Sequence, residues 1–373
     1  MKAFLKKEPM LTVAVLAALC SLLITPPSKK LLQDIDWKTL ATLFMLLSVL
    51  DGFKHENLFQ PLIRLTGRLH TRLWLGFFLV FGVFLSSMFV TNDVSLMIFV
   101  PLTILLFRAG QAEQLIVPLL VLENIAAVRG SLLTPFGSPQ NLFLYGKSGL
   151  TTAEFMKMML PLWLGSLVLL AGFLLVLFRK QLRTPISVQS AVGEPWSRSR
   201  RGKRVLYLAL FLLILATIVS RTSLWPAVTV LVTVLLLVFD RRVFARVDYV
   251  LLLTFLCFFI FSSSIAGNET IAAFLHRSVA GNEYLWSLLL SQVISNVPAS
   301  IVLWPFTENL PALLYGLDTA GLISVIGSLA SVINLRIYTR EYPGRGGHFL
   351  LVFEKICLCF FAIVVVPQWL LCR

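Results

Sequence analysis

The stretch VTNDVSLMIFVP at residues 90–101 has a near-copy late in the chain, ISNVPASIVLWP at 294–305. In each, a Thr/Ser–Asn pair (Thr91–Asn92, Ser295–Asn296) interrupts apolar sequence, and a proline closes the run (Pro101, Pro305). Polar breaks at corresponding positions in two halves of a membrane chain point to a binding site where internal repeats meet. The fold follows from how far that correspondence extends.

It extends over most of the chain. Asp36, Leu40 and Thr42 answer to Asp248, Leu252 and Thr254. Leu85, Ser87, Asn92 and Pro101 answer to Leu289, Ser291, Asn296 and Pro305. Ser131, Ser138, Asn141, Leu142 and Tyr145 answer to Ser324, Ser331, Asn334, Leu335 and Tyr338. The matches are collinear, and the spacing between partners falls along the chain, so the second half has shorter connectors. Helix 10–25 corresponds to 222–239, which leaves 205–220 unpaired. One extra helix between two repeats inverts the second.

The expected organisation is a first repeat over 1–178, with a re-entrant hairpin at 73–107 and a broken helix at 112–146. A basic linker follows at 179–204. Residues 205–373 hold the unpaired helix and the inverted second repeat, with its hairpin at 282–307 and broken helix at 312–338. In each hairpin two short half-helices meet at the Thr/Ser–Asn pair.

The chain is 58% hydrophobic and 13% charged, with 29 Phe and 8 Trp. Such apolar content, in runs without charge, implies an all-α polytopic membrane protein. Further spans are expected at 10–25, 37–52, 153–178, 205–220, 222–239, 248–264 and 348–370, for nine crossings and two opposed hairpins. The net charge of +14 lies in loops between these runs. That is the positive-inside pattern, and no basic module with stacking aromatics accompanies it, so nucleic acid is excluded as a partner. The rule puts the N-terminus (Lys2, Lys6, Lys7), the segment 53–72 and the linker in the cytoplasm, and the C-terminus outside. The N-terminus lacks an A-x-A cleavage pattern and reads as an uncleaved first helix. Segment 53–72 mixes Phe53, Leu58, Phe59, Leu62, Ile63, Leu65 and Leu69 with Lys54, Arg64, Arg68 and Arg72, which suits an interfacial amphipathic helix. The charge-poor 265–281 reads as an external loop.

The five cysteines follow neither metal-site nor disulfide spacing, and Cys357 and Cys359 do not share a helix face. The four histidines lie outside the breaks, and neither G-x-S-x-G nor H-E-x-x-H occurs, so nothing assembles a nucleophile with a base. No nucleotide-binding motif or cofactor signature is present.

Four interruptions carry the chemistry: the two hairpin tips, GSLLTPFGSPQNLFLY at 130–145, and GLISVIGSLASVINLRIY at 321–338. Non-helical backbone survives at membrane depth only against protein or a water-filled cavity. Each break exposes helix N-terminal amides carrying about +0.5 charge and C-terminal carbonyls carrying about −0.5. The amides suit an anion; the carbonyls, with Ser, Thr and Asn oxygens, suit Na⁺. The candidate substrate and ion ligands are Thr91, Asn92, Asp93, Thr134, Gly137, Ser138, Asn141, Ser295, Asn296, Ser328, Ser331 and Asn334, with Na⁺ assigned to Asn92, Asp93 and Asn296.

Asp93 has no acidic twin, because Val297 takes its place. An acid at membrane depth costs about 2.5–3.5 kcal/mol on insertion scales, so it faces a cavity or a partner. It reads as a proton or cation carrier, or else as a structural hydrogen bond at the tip. Arg129 either pairs with Glu123 or attracts anionic substrate. Arg336 reads as snorkelling to the cytoplasm, and Glu354 and Lys355 are left without a role.

The motifs TNDVSLMIFVPLT (91–103), GSLLTPFGSPQNLFLYGKSGL (130–150), SQVISNVPASIVL (291–303) and GSLAS (327–331, with Ile333 and Asn334) resemble the ion transporter superfamily. That superfamily takes in arsenite permeases, citrate carriers, sodium/proton antiporters and divalent-anion/sodium symporters. The nearest likeness is to a small bacterial inner-membrane branch of anion permeases. In the symporter branch, Ser-Asn-Thr at both tips binds sodium and carboxylates. Here the tips read Thr91-Asn92-Asp93 and Ser295-Asn296-Val297, and the Asp looks more like the arsenite and antiporter branches. The resemblance implies an elevator mechanism, usually in a dimer. The functional expectation is a secondary transporter of a small anion or oxyanion coupled to H⁺ or Na⁺. The alternative is a Na⁺/H⁺ antiporter exchanging through Asp93.

Overall fold

In the computed structural model, which describes residues 9–25, 29–56, 58, 66, 69–186 and 201–372, the chain is all-helical. The described residues form no strand beyond an isolated bridge between Thr71 and Pro185. The first half contains α1 (Pro9–Ile24), α2 (Lys29–Asp34), α3 (Trp37–His55), α4 (Arg72–Val90), α5 (Asn92–Ala109), α6 (Ile116–Gly130), α7 (Pro139–Ser148) and α8 (Thr152–Phe178). The second contains α9 (Arg201–Val219), α10 (Trp225–Asp240), α11 (Tyr249–Ala266), α12 (Glu269–Val279), α13 (Glu283–Ile294), α14 (Asn296–Leu303), α15 (Leu310–Ala320), α16 (Leu329–Glu341) and α17 (Gly346–Leu371).

Among the described residues, six helices are long and apolar enough to cross a membrane: α4, α5, α8, Gly202–Val219 within α9, α11 and α17. Their outer faces carry side chains such as Val168, Val176, Leu212 and Leu351 in the open. Such apolar exposure would be a liability in water and matches lipid. The chain is a multi-pass membrane protein.

Local sequence sets the helix starts. Thr71 caps α4 by accepting from the Trp74 amide, and Asp248 caps α11 by accepting from Leu251. Thr151 and Glu154 form a reciprocal capping box at α8. Between α8 and α9 the chain turns back: Thr184 and His70 share backbone bonds with Arg72 and Ile186, and Arg72 reaches the Gln181 side chain at 2.9 Å. Of the linker, residues 187–200 lie outside the described residues, as do 57, 59–65, 67 and 68 of the expected interfacial helix.

Three expectations are corrected. The arms of the first hairpin are 19 and 18 residues, not half-helices. At 1.5 Å per residue each is about 27–29 Å long, close to the hydrocarbon thickness. The second hairpin keeps short arms of 12 and 8 residues. Pro101 does not close its run but sits inside α5, whereas Pro305 does end the second arm in a 3₁₀ turn, Trp304–Phe306. Finally, 265–281 is not a loop. It holds α12, capped by Asn268, whose side chain accepts from the Ile271 amide.

Among the described residues, buried apolar side chains form two clusters. One joins α4–α6, the end of α8, α16 and α17; the other joins α1, α3, α7, α9–α11 and α13–α15. The candidate ligands lie where elements of the two clusters meet. Close packing of α4 on α6 depends on Gly130, where an added Cβ would stand 2.0 Å from the Phe84 carbonyl oxygen. Backbone cannot yield as a side chain tip does, so Gly130→Ala forces the helices apart. Overpacking of this kind costs about 1–3 kcal/mol. A fall in the thermal unfolding midpoint of the purified variant checks it, and an unchanged midpoint refutes it.

Candidate functional site

Both expected hairpin tips are single-residue reversals. Thr91 alone separates α4 from α5, and Ser295 alone separates α13 from α14. Their backbones adopt nearly the same unusual conformation, φ 70° and ψ 155° against φ 67° and ψ 160°. Positive φ at a non-glycine residue stores about 1–3 kcal/mol of strain, held only where the surroundings over-determine it. Across the first hairpin Ser86 and Ser95 share a hydrogen bond at 2.9 Å.

The broken helices are interrupted at 131–138, between α6 and α7, and at 321–328, between α15 and α16. Each break is tied to the hairpin of its own half. The Asn92 amide donates to the Gly137 carbonyl at 3.3 Å, and the Thr134 hydroxyl donates to the Met88 carbonyl. At Gly137 a Cβ would stand 2.4 Å from the Ser131 carbonyl, so the break closes on itself too tightly for any side chain. In the second half, the Gln292 amide donates to the Ala320 carbonyl at 3.1 Å, and the Ser324 hydroxyl donates to Gln292 at 2.7 Å.

Thr91, Ser138, Ser295 and Ser328 occupy the N-cap positions of α5, α7, α14 and α16, and none makes a side-chain capping bond. Thr71 and Thr151, the same residue types at the outer helices α4 and α8, do cap. The starts of α7, α14 and α16 therefore keep amides that side chains satisfy elsewhere, whereas at α5 the Asn92 and Asp93 amides donate to the Gly137 carbonyl and the Asn92 side chain.

The remaining candidates fall into two groups. Asn141, fully buried, donates weakly to the Ser131 carbonyl at 3.5 Å and stands over the first break. Asn296 donates to the Leu317 carbonyl on α15 at 3.4 Å. These residues share a neighbourhood, because α7, α14 and α15 pack on one another. Ser331 and Asn334 belong to α16 and face α6 instead: Asn124 donates to the Ser331 hydroxyl at 3.0 Å, and Asn334 donates to the Leu120 carbonyl at 2.7 Å. Asp93 is half-buried beside the first tip. Its Oδ1 has no hydrogen-bond partner, and the like charge of Asp248 bears on it.

Arg129 and Glu123 do not pair. Arg129 is fully buried and donates to Ser166 at 2.8 Å, Thr319 at 3.1 Å and the Asp318 carbonyl at 3.4 Å. Glu123 takes the Thr103 hydroxyl instead. The reason is geometric: six positions along α6 put the two side chains on different faces. Arg129 turns towards α8 and α15, Glu123 towards α5.

Asp318 is the residue the motifs missed. It is fully buried in the last turn of α15, accepts from Gln140 at 2.8 Å, and is the negative charge acting on Arg129. It was detectable on the argument that singled out Asp93, as a lone acid in apolar sequence inside the expected broken helix 312–338. Asn124 and Gln140 carried no such signal.

Beside α7 lies a polar cavity of about 360 Å³, lined by Lys38, Thr39, Thr42, Tyr145, Lys147 and Arg221 among others. Arg221 stacks on the Tyr145 ring at 4.1 Å and also donates to the Tyr145 carbonyl; Lys147 pairs with Asp36 at 3.4 Å. A second polar pocket, of about 480 Å³ and including His55, Lys203 and Arg242, marks the other end of α3.

An all-helical membrane chain with buried polar breaks and charged pockets at both ends defines a membrane transporter class. The model of the citrate transporter family matches residues 3–329, and the chain belongs to that family, within the ion transporter superfamily. The chain is 35% identical over 312 residues to Inner membrane protein YbiR of Escherichia coli (strain K12), covering 81% of this chain and 80% of that one. It is 30% identical over 322 residues to Uncharacterized transporter MJ0456 of Methanocaldococcus jannaschii, covering 85% of each.

Proposed function

We propose that this transporter carries a small anion, an inorganic oxyanion or a small carboxylate, by secondary active transport coupled to H⁺ or Na⁺. The observation that carries this is the set of four Ser/Thr N-caps that make no side-chain capping bond at the interruptions. Amides and dipole ends of this kind favour negative charge. Thr91, Asn92, Thr134, Gly137, Ser138, Asn141, Ser295, Asn296, Ser328, Ser331 and Asn334 are its ligands in this reading, with Asp93 carrying the coupling cation. The citrate description of the family makes small carboxylates the first substrates to try, and the name of the Escherichia coli relative supports an inner-membrane location.

An inverted repeat is supported by pairings that recur with the halves exchanged. α1 packs on α11 as α3 packs on α10, and α5 packs on α16 as α14 packs on α7. An elevator is supported by α9 and α10, which pack mainly on α3 and each other and so form a frame apart from the hairpins. The frame positions the carrier, a homodimer in this reading, with the N-terminus and linker cytoplasmic and the C-terminus outside.

The test is uptake of labelled citrate or phosphate by purified protein in liposomes under an imposed Na⁺ or pH gradient. Gradient-dependent accumulation is expected. Exchange of Na⁺ against H⁺ with no anion present would replace this reading with the antiporter. The cavity beside α7 gives a graded check. Arg221→Ala removes one cation from the approach path, worth about 1 kcal/mol at contact distance in water, and so raises the half-saturating anion concentration about fivefold. The maximal rate stays as it was; an unchanged half-saturation places the approach elsewhere.

A further inference from the structure

The 480 Å³ pocket at the other end of α3 is built from the end of that helix, the start of α9, and the end of α10 with the 3₁₀ turn Arg241–Ala245. None of these elements carries a candidate ligand of the transport site. The lining brings Lys203, Arg241, Arg242 and Arg246 together with the carboxylates of Glu56 and Asp240. Asp51 lies behind Arg246, 2.6 Å from its Nε, and is offset by Arg204, which donates to the Glu56 carbonyl at 2.9 Å. The pocket keeps a surplus of positive charge.

The four cations are not equivalent. Asp240 faces Lys203 at 3.7 Å and Arg246 at 4.0 Å, and Asp51 takes Arg246 as well. Arg241 and Arg242 are exposed, and among the described residues neither has a hydrogen bond or an ion pair. The surplus therefore sits on two adjacent guanidiniums. Arg246 Nη2 adds a buried donor without a hydrogen-bond partner.

Beside these cations the wall turns apolar. Leu237, Val238 and Phe239, in the last turn of α10, line the same pocket and are each more than half exposed. Lys203 stands in the first turn of α9, a helix long enough to cross the membrane, which sets the pocket at the membrane surface. Guanidiniums bind phosphate oxygens through paired N–H donors, and exposed apolar side chains at that level meet acyl chains. A soluble anion would answer only the first feature. A zwitterionic headgroup would bring a further cation into a positive site. We propose that this pocket binds the phosphodiester headgroup of an anionic phospholipid, with Arg241 and Arg242 on the phosphate and the acyl chains along Leu237, Val238 and Phe239. Basic pockets between membrane helices suit such headgroups, each cation near the surface contributing about 1 kcal/mol. His55, Lys203 and Arg241 come from the ends of three different elements, so one headgroup ties α3, α9 and α10 together. The lipid braces these helices and is not a substrate.

The experiment needs no transported anion. The unfolding midpoint of the purified protein in dodecyl maltoside is followed by tryptophan fluorescence while a short-chain phosphatidylglycerol is titrated, against the phosphatidylcholine of the same chain length. Wild type should show a saturating rise with phosphatidylglycerol alone, as a ligand of the folded state gives. Arg241→Gln/Arg242→Gln removes two exposed cations that bond nothing, so the fold persists. Its half-saturating phosphatidylglycerol concentration should rise about thirtyfold, the equivalent of about 2 kcal/mol. Lys180→Gln/Arg183→Gln removes the same charge from exposed residues after α8 and should keep the wild-type response. No rise in wild type, an equal rise with phosphatidylcholine, an unchanged response in the Arg241/Arg242 variant, or an equal loss in the Lys180/Arg183 variant would overturn the site. The same saturating rise from inorganic phosphate alone would also overturn it, by making the occupant a free anion.

Discussion

Arg129→Ala lowers the stability of the folded protein by roughly 3–5 kcal/mol, the usual effect of removing one member of a buried charge pair. The side chain is fully buried and makes three hydrogen bonds, to Ser166, Thr319 and the Asp318 carbonyl, which tie α6 to α8 and α15. Its loss leaves Asp318 a desolvated charge met only by the neutral side chains of Gln140 and Asn141. The comparison that isolates the charge is the double variant Arg129→Ala/Asp318→Asn. It should recover about 1 kcal/mol or more of what the single variant loses, since contacting residues couple by about 0.5–3 kcal/mol. Unfolding of all three proteins in one detergent measures this. A loss below about 1 kcal/mol in the single variant would mean that water reaches the site.

Asp93→Asn keeps the fold and abolishes gradient-driven accumulation. The Asp93 Oδ1 atom is buried without a partner, so neutralising it removes a desolvated charge and breaks no bond. Its backbone amide donates to the Asn92 side chain at 2.9 Å, a bond that the substitution at 93 leaves in place. Stability therefore stays level or rises, while the site loses the charge proposed to carry the coupling cation. Downhill exchange of anion can survive; uphill accumulation cannot. Normal accumulation by this variant would leave Asp93 with a structural role alone.

The placement of the interruptions was legible in the sequence because each is local chemistry. A Ser or Thr before Asn in apolar sequence ends one helix and starts the next, and Thr91 and Ser295 do so with matching backbone angles. The breaks at 131–138 and 321–328 were equally local, marked by Gly, Ser and Pro. Arm lengths were not legible. The first hairpin is apolar well beyond the depth of a half-helix, and Pro101 reads alike as a stop and as a tolerated kink. The partners of Arg129 were hidden for another reason: Ser166, Asp318 and Thr319 are brought to it by packing of α8 and α15, across distances in sequence that no helical spacing encodes. The pairing of Glu123 with Thr103 is of the same kind.

The account's central claim is that the two tips serve one pocket. Contacts already lead from each towards it, from Asn92 through Gly137 into the start of α7, and from Asn296 through Leu317 to Asp318. The direct measurement is thiol cross-linking of Asn92→Cys with Asn296→Cys, in a chain whose five native cysteines are replaced. Bifunctional reagents shorter than half the hydrocarbon thickness, about 15 Å, should join the two positions. Transported anion should slow the reaction. Failure of every such reagent, with each cysteine singly reactive, would put the tips apart and contradict a shared site.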